Sequence, residues 1–271
     1  MRRWIPVLLA VCALGASGCA AQKAESAEPT AAPVAAAEPR PTAAVDLESR
    51  GPAQVVHSVD TKDKVVFLTI DDGLDAEPAT MRYLSENKVP VTVFLTTGTV
   101  TDWQYWKDMG PTGSIQNHTV VHPTLTQLGQ AGQEAEICAA NEAIVGELGQ
   151  APWMVRPPYG AYDSTTLAAA GRCGLDWVVH WTVTAPGDDL LYQQVDGSLK
   201  PGDIVLTHFR KGLAKSLPKI VEAIHAQGFE IARLEDYLTP RGGPKPAGAD
   251  VMPADAQMDT DTESKAYLVA D

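Results

Sequence analysis

The sequence predicts an α/β fold: a distorted (β/α) barrel of about seven strands, flanked by an N-terminal tether and a C-terminal tail without regular structure. Three observations predict it. Between residues 55 and 239, short apolar runs alternate with amphipathic stretches, the pattern of a parallel sheet with crossover helices. Roughly seven alternations in that span are fewer than the eight of the closed (β/α)₈ barrel. Outside it the chain is rich in Ala, Pro and acidic residues and has too little branched apolar surface to offset the entropy of ordering.

The strands are predicted at residues 65–70, 91–95, 114–116, 154–155, 177–181, 204–206 and 230–233, each a short run of β-branched, aromatic or aliphatic residues. Helices are predicted at 76–86, 133–148, 164–170 and 213–226, where apolar residues recur every three or four positions. Ser164 is the expected N-cap of the third helix and Gly149 the stop of the second. No internal repeat is evident.

The first 18 residues read as a lipoprotein signal peptide. Arg2 and Arg3 precede an apolar stretch at 4–14 and the small-residue run Gly15-Ala16-Ser17-Gly18-Cys19. The stretch falls short of the roughly 20 apolar residues of a membrane-spanning helix. Ala16-Ser17-Gly18-Cys19 resembles a bacterial lipobox, which implies diacylglyceryl attachment at Cys19 and anchoring on the extracytoplasmic face of the membrane; ordinary signal cleavage nearby is the alternative. Residues 19–54 form an Ala/Pro/Glu-rich linker, 55–239 the folded domain and 240–271 the tail.

The formal net charge of -13 and sequence pI of ≈ 4.8 argue against nucleic acid, whose binding needs a basic face to displace counterions. A monomer is expected. Of four cysteines, Cys12 lies in the signal and Cys19 at the lipid site, leaving Cys138 and Cys173. Two thiols in an oxidising compartment suggest a disulfide, with two buried unpaired cysteines as the alternative. Neither has a metal-ligand spacing.

Four blocks carry chemistry. In Val65-Val66-Phe67-Leu68-Thr69-Ile70-Asp71-Asp72-Gly73 an apolar strand ends in two adjacent carboxylates. Their repulsion is relieved if a cation takes one and leaves the other as a base; alone, the block also reads as an acidic turn. Asn117-His118-Thr119-Val120-Val121-His122-Pro123 places two of six histidines four residues apart. With Asp72 they supply the two imidazoles and one carboxylate of an open catalytic metal site. Arg156-Pro157-Pro158-Tyr159-Gly160 is a stiff loop after a short strand, and in Ile204-Val205-Leu206-Thr207-His208 a strand again ends in histidine.

In this order the four blocks resemble the polysaccharide deacetylases of carbohydrate esterase family 4, the NodB-homology domain. The family's Thr-Phe-Asp-Asp-Gly stands here as Thr69-Ile70-Asp71-Asp72-Gly73, and its His-Ser/Thr-x-x-His-Pro as His118-Thr119-Val120-Val121-His122-Pro123. The resemblance implies that Asp71 is the general base and that Asp72, His118 and His122 hold a divalent metal, with zinc expected and cobalt or nickel as alternatives. It implies that Arg156 orients Asp71 and that the Tyr159 backbone N–H stabilises the oxyanion. His208 would protonate the departing amine, and Leu206 would line the pocket for the acetyl methyl.

The departure is in the fourth motif, where the family has an Asp followed shortly by Asp-Trp. Here Thr184 falls near the first Asp and no Trp follows Asp188 or Asp189, so His208 lacks its expected partner unless Asp188 substitutes. The function expected is metal-dependent removal of N-acetyl groups from an N-acetylglucosamine-containing glycan, peptidoglycan or chitin oligomers. The alternatives are O-deacetylation of xylan or other acetylated sugars, and a catalytically silent glycan-binding lipoprotein.

Overall fold

The computed structural model describes residues 51–110 and 113–240, and the backbone of 250 and 251. The signal peptide, Cys19, residues 19–50 of the linker and most of the 240–271 tail lie outside the described residues.

All seven expected strands are present: β3 (Val65–Asp72), β4 (Val91–Leu95), β5 (Gly113–Asn117), β6 (Met154–Val155), β7 (Trp177–Val179), β10 (Ile204–His208) and β11 (Glu230–Ile231). So are the four helices: α1 (Pro78–Glu86), α3 (Gln130–Leu148), α4 (Ser164–Arg172) and α5 (Leu213–Ala226). The sequence reading missed β1 (Gln54–Val56), β2 (Val59–Asp60), β8 (Val183–Thr184), β9 (Leu191–Tyr192) and α2 (Trp103–Lys107), all too short to show a period. Within the tail, Asp250–Val251 (β12) pairs antiparallel with β2, so the expected lack of structure does not extend to these two residues.

The main sheet has ten strands in the order β1-β7-β6-β5-β4-β3-β10-β8-β9, with β11 also on β3. Every pairing is parallel except β8 with β9. The sheet curls into the NodB-like (β/α) barrel, and its seam is closed where Val59 N–H donates to Gly202 O and Ser58 bridges Asp203. Gly202 is required there: it has φ 85, and a Cβ would stand 1.7 Å from the Val59 carbonyl oxygen.

β3 shows why one strand serves two layers. Side chains alternate across it, so Val66, Leu68 and Ile70 join the outer layer with Leu217, Ile220 and Ile224 of α5, while Phe67 enters the barrel interior with Phe94, Leu206 and Trp181. Each such fully buried side chain contributes about 1.5–3 kcal/mol. A third cluster joins α3 and α4 through Ile137 and Ala169. A disulfide between Cys138 of α3 and Cys173, the residue that caps the C-terminus of α4, links the same two elements.

Helix ends correct two expectations. Asp163, not Ser164, caps α4: its side chain accepts from Thr166 N while Thr166 Oγ1 accepts from Asp163 N, a reciprocal capping box. α1 begins at Pro78, a residue suited to the first helical turn, rather than at 76. Gly149 ends α3 in the left-handed conformation, as expected.

Candidate metal centre and active site

The parallel strands deliver their C-terminal ends to one face of the barrel. β3 brings Asp71 and Asp72 there, β5 leads into His118, β6 into Arg156, and β10 ends at His208, which is in register with Asp71. These residues, except Arg156, line one cleft with His122, Pro157, Tyr159, Trp181 and Arg210.

Backbone strain concentrates at this face. Five non-glycine residues have positive φ among the described residues, and four belong to the site: Asp72 (72°), Thr119 (67°), His122 (60°) and Tyr159 (60°). Left-handed backbone is costly for such residues and persists only where surrounding contacts impose it. Asp72 shows the purpose. By strand alternation it would point outward with Ile70, and the positive φ turns its carboxylate back to the histidines. Gly73 follows at φ 85, where a Cβ would lie 2.4 Å from Leu95 Cδ1. The 118–122 loop is held by Asn117, whose Oδ1 accepts from Thr119 N, and by Glu136, whose Oε2 accepts from the amides of Val120 and Val121. Neither Asn117 nor Glu136 was singled out from the sequence, and Glu136, on α3, carried no signal there.

The expected ligand set converges. Asp72 Oδ1 lies 3.5 Å from His118 Nε2 and 3.4 Å from His122 Nε2, and ligand atoms of all three residues fall within 4.8 Å of one another. Donors about 2.1 Å from a shared ion at near-tetrahedral angles stand about 3.4 Å apart, so the spacing fits a cation. The His118 Nδ1–H donates to Arg156 O at 2.7 Å, leaving the Nε2 lone pair aimed at the cluster.

The electrostatics agree. Burial opposes charge on both groups, yet Asp71 and Asp72 together raise the His118 pKa, and the His118 hydrogen bond and charge hold Asp72 at about 2. This donor set draws positive charge to itself. His122, desolvated and repelled by His118, is lowered to about 4, so it stays a neutral ligand at pH 7.

Asp71 sits beside the ligands without belonging to the triad. It is 2% exposed, and its Oδ2 is 3.6 Å from His118 Nε2. Arg156 Nη1 donates to Asp71 Oδ1 at 2.7 Å and to Thr69 Oγ1 at 2.8 Å. The rest of the guanidinium donates to the carbonyls of Val179 and His180, and Phe94 packs 4.2 Å from its centre. Fully buried, Arg156 is thus oriented on every side. Thr69, which the sequence reading did not assign, donates in turn to Val205 O and ties β3 to β10.

Tyr159 stands over the cleft with its ring 4.7 Å from that of His122. Leu206, two residues before His208 on the same face of β10, is buried in the interior cluster that also holds Trp181, and Trp181 lines the cleft. One expectation is corrected. Asp188 does not substitute in the fourth motif, because its side chain is bonded to Lys219 of α5 at the surface. Thr184, on β8 beside Leu206, offers no carboxylate. The His208 pKa is accordingly lowered, by burial first, with Arg210 and His118 adding to it against the pull of Asp71 and Asp72.

Comparison with known proteins gives an independent view. The polysaccharide deacetylase family model matches residues 58–178. An uncharacterized protein of Streptomyces coelicolor is 39% identical over 242 residues, covering 86% of this chain and 93% of that protein. The chitooligosaccharide deacetylase of Sinorhizobium fredii is 31% identical over 193 residues, 62% of this chain and 89% of the relative. Among solved structures, a family 4 carbohydrate esterase from Bacillus anthracis is 29% identical with a TM-score of 0.57, covering 70% of this chain and 88% of that one.

Proposed function

The chain belongs to the polysaccharide deacetylase family, carbohydrate esterase family 4, and from that premise we propose that it releases acetate from the N-acetyl groups of an N-acetylglucosamine-containing cell-wall glycan, using a divalent cation at Asp72, His118 and His122. It is a hydrolase of carbon–nitrogen bonds other than peptide bonds. The observation that carries the proposal is a free carboxylate, Asp71, locked by Arg156 beside a complete Asp/His/His donor set.

Asp72, His118 and His122 would hold a divalent cation, zinc by ligand type with cobalt or nickel as substitutes, which would supply Lewis acidity and make water at the site more acidic. The protein's own groups do the rest. Asp71 takes the proton of the attacking water, and Arg156 keeps its oxygen aimed there. The backbone N–H of Tyr159, turned by its positive φ, donates to the developing oxyanion; one such donor is worth roughly 3 kcal/mol. His208, beside Asp71 in the β10–β3 register, serves the departing amine.

A second reading follows from one observation. With its pKa lowered by burial against the pull of Asp71 and Asp72, and no carboxylate hydrogen-bonded to it among the described residues, His208 is a modest acid at neutral pH, and an ester leaving group needs less acid assistance than an amine. O-deacetylation is therefore the activity to compare. We also place the enzyme outside the cell on a lipid anchor at Cys19, supported by the signal-like N-terminus and by the Cys138–Cys173 disulfide, which suits an oxidising compartment. Cys19→Ala should move the protein out of the membrane fraction.

One experiment tests the chemistry: acetate release by the full chain from N-acetylglucosamine oligomers, peptidoglycan and acetylated xylan, before and after chelation, and with Asp71→Asn. Activity on the amide substrates should vanish on chelation and fall about 10³-fold in Asp71→Asn. Undiminished turnover after complete metal removal would overturn the mechanism, and release from the xylan alone would favour the ester reading.

A further inference from the structure

Resting on the deacetylase reading, we propose that the loop between β10 and α5 selects an acidic glycan: Arg210, with Lys211 and Lys215 beside it, binds a carboxylate carried near the acetylated sugar. A neutral chitin-type chain would offer this loop nothing to bind.

The segment that leaves His208 reads Arg210-Lys211-Gly212-Leu213-Ala214-Lys215-Ser216-Leu217-Pro218-Lys219, with cations at 210, 211, 215 and 219 and no carboxylate. In a chain of net charge -13 this is a local reversal of sign, and its first residue, Arg210, lines the catalytic cleft. Lys219 is engaged by Asp188. Lys211 and Lys215 are exposed, and among the described residues no ion pair involves either.

Arg210 is exposed and lines the cleft together with Asp71, Asp72, His118, His122 and His208. Its backbone is fixed relative to the catalytic carboxylate. Phe209 N donates to Asp71 O at 3.0 Å, Arg210 N to His208 O at 2.8 Å, and Leu213 N to Arg210 O at 3.0 Å. Two acidic residues border this loop: Glu77 accepts from the amides of Gly212 and Ala214 at 3.1 and 3.4 Å, so its oxygens are directed at the α5 N-terminus, and Asp75 N donates to Phe209 O at 3.1 Å.

A guanidinium presents paired N–H donors that match a carboxylate, and surrounding ammonium groups raise the local concentration of an anionic polymer. Two carbohydrate sources carry the required group on an N-acetylated chain: the lactyl and peptide carboxylates of peptidoglycan, and the uronate of an alternating N-acetylglucosamine–glucuronate polymer. They share the chemistry and can be separated by assay.

The test measures kcat/KM for acetate release by the full chain on neutral N-acetylglucosamine oligomers, peptidoglycan fragments and the glucuronate copolymer. Wild type is compared with Arg210→Ala, Arg210→Lys and the Lys211→Ala/Lys215→Ala double variant. The quantity read is the acidic-to-neutral selectivity ratio. Arg210→Ala should lower it about tenfold, mainly through KM, and Arg210→Lys should restore part of it. Added salt should lower the wild-type ratio as well. A fall on both acidic substrates identifies the carboxylate itself as the feature bound, and a fall on one names its source. If Arg210→Ala leaves the ratio unchanged, the inference is overturned even when all rates drop together, because a structural role lowers them alike. Should wild type release acetate from none of the three, the deacetylase reading fails separately. Calorimetric binding of the same glycans to wild type and Arg210→Ala then decides whether the loop reads carboxylates.

Discussion

The protein holds two pairs of facing histidines at nearly the same spacing, and they differ in almost everything else. The His118 and His122 rings are 4.8 Å apart at the cleft. The His57 and His180 rings, brought together where β1 pairs with β7, are 4.6 Å apart. The first pair faces Asp71 and Asp72. The second faces Tyr162 and Trp181, and among the described residues His57 Nδ1 and both ring nitrogens of His180 have no hydrogen-bond partner. Carboxylates raise the pKa of buried His118, whereas burial lowers that of His122, His57 and His180. Imidazole spacing therefore does not define an ion site here. Negative charge beside the imidazoles does, because a divalent ion near neutral rings and the Arg156 guanidinium has nothing to offset its desolvation.

The largest effect should come from removing that charge. Asp72→Asn should abolish stoichiometric metal in the purified protein and lower acetate release by at least about 10²-fold. His180→Phe should leave the metal content unchanged. Elemental analysis of the two variants decides the comparison: full occupancy in Asp72→Asn, or metal lost from His180→Phe, would break it.

Arg156 physically joins the two pairs and gives the next effect. Its carbonyl accepts from His118 Nδ1–H, and its guanidinium donates to His180 O, Val179 O, Thr69 and Asp71. Lysine carries one ammonium and cannot reach all of these at once. Arg156→Lys should cost about 2–3 kcal/mol in urea denaturation and lower kcat more than it raises KM, since it frees the base without touching bound glycan. A variant of wild-type stability would mean that the fork of bonds carries little energy.

How far the sequence alone could reach follows the same division. The apolar runs of β3, β4 and β10 announced themselves because strands buried on both faces are continuously hydrophobic. The ligands were legible because they sit in short contiguous motifs at strand ends. What stayed hidden depends on contacts across long separations. Glu136 reaches the ligand loop from a helix whose face gives no hint of it. His57 and His180 become neighbours only through the β1–β7 register, and β1 is three residues long. Asp188 was weighed for His208 by proximity in sequence, and the side chain turned instead to Lys219.

The smallest predicted effect isolates His180. His180 has a folded-state pKa well below its ordinary 6.5, so between those two values the unfolded chain binds more protons than the native one. Its contribution to stability is therefore complete above pH 6.5 and is lost as pH falls through that window. His118, with its pKa raised, contributes in the opposite sense: its share is full below pH 6.5 and is lost as pH rises through its folded value. Thermal unfolding of wild type between pH 7 and 5 superposes these on the contributions of His57, His122 and His208, whose pKa values are also lowered and which act in the same sense as His180. Replacing His180 by Phe removes the acid-sensitive contribution while keeping a ring to stack on Trp181, so Tm should fall less steeply toward pH 5 than in wild type. For a domain of this size each kcal/mol corresponds to roughly 2–4 °C. Parallel Tm curves for the two proteins would mean that the second pair is protonated as readily in the folded state as in the unfolded one, and that its burial does not keep it neutral.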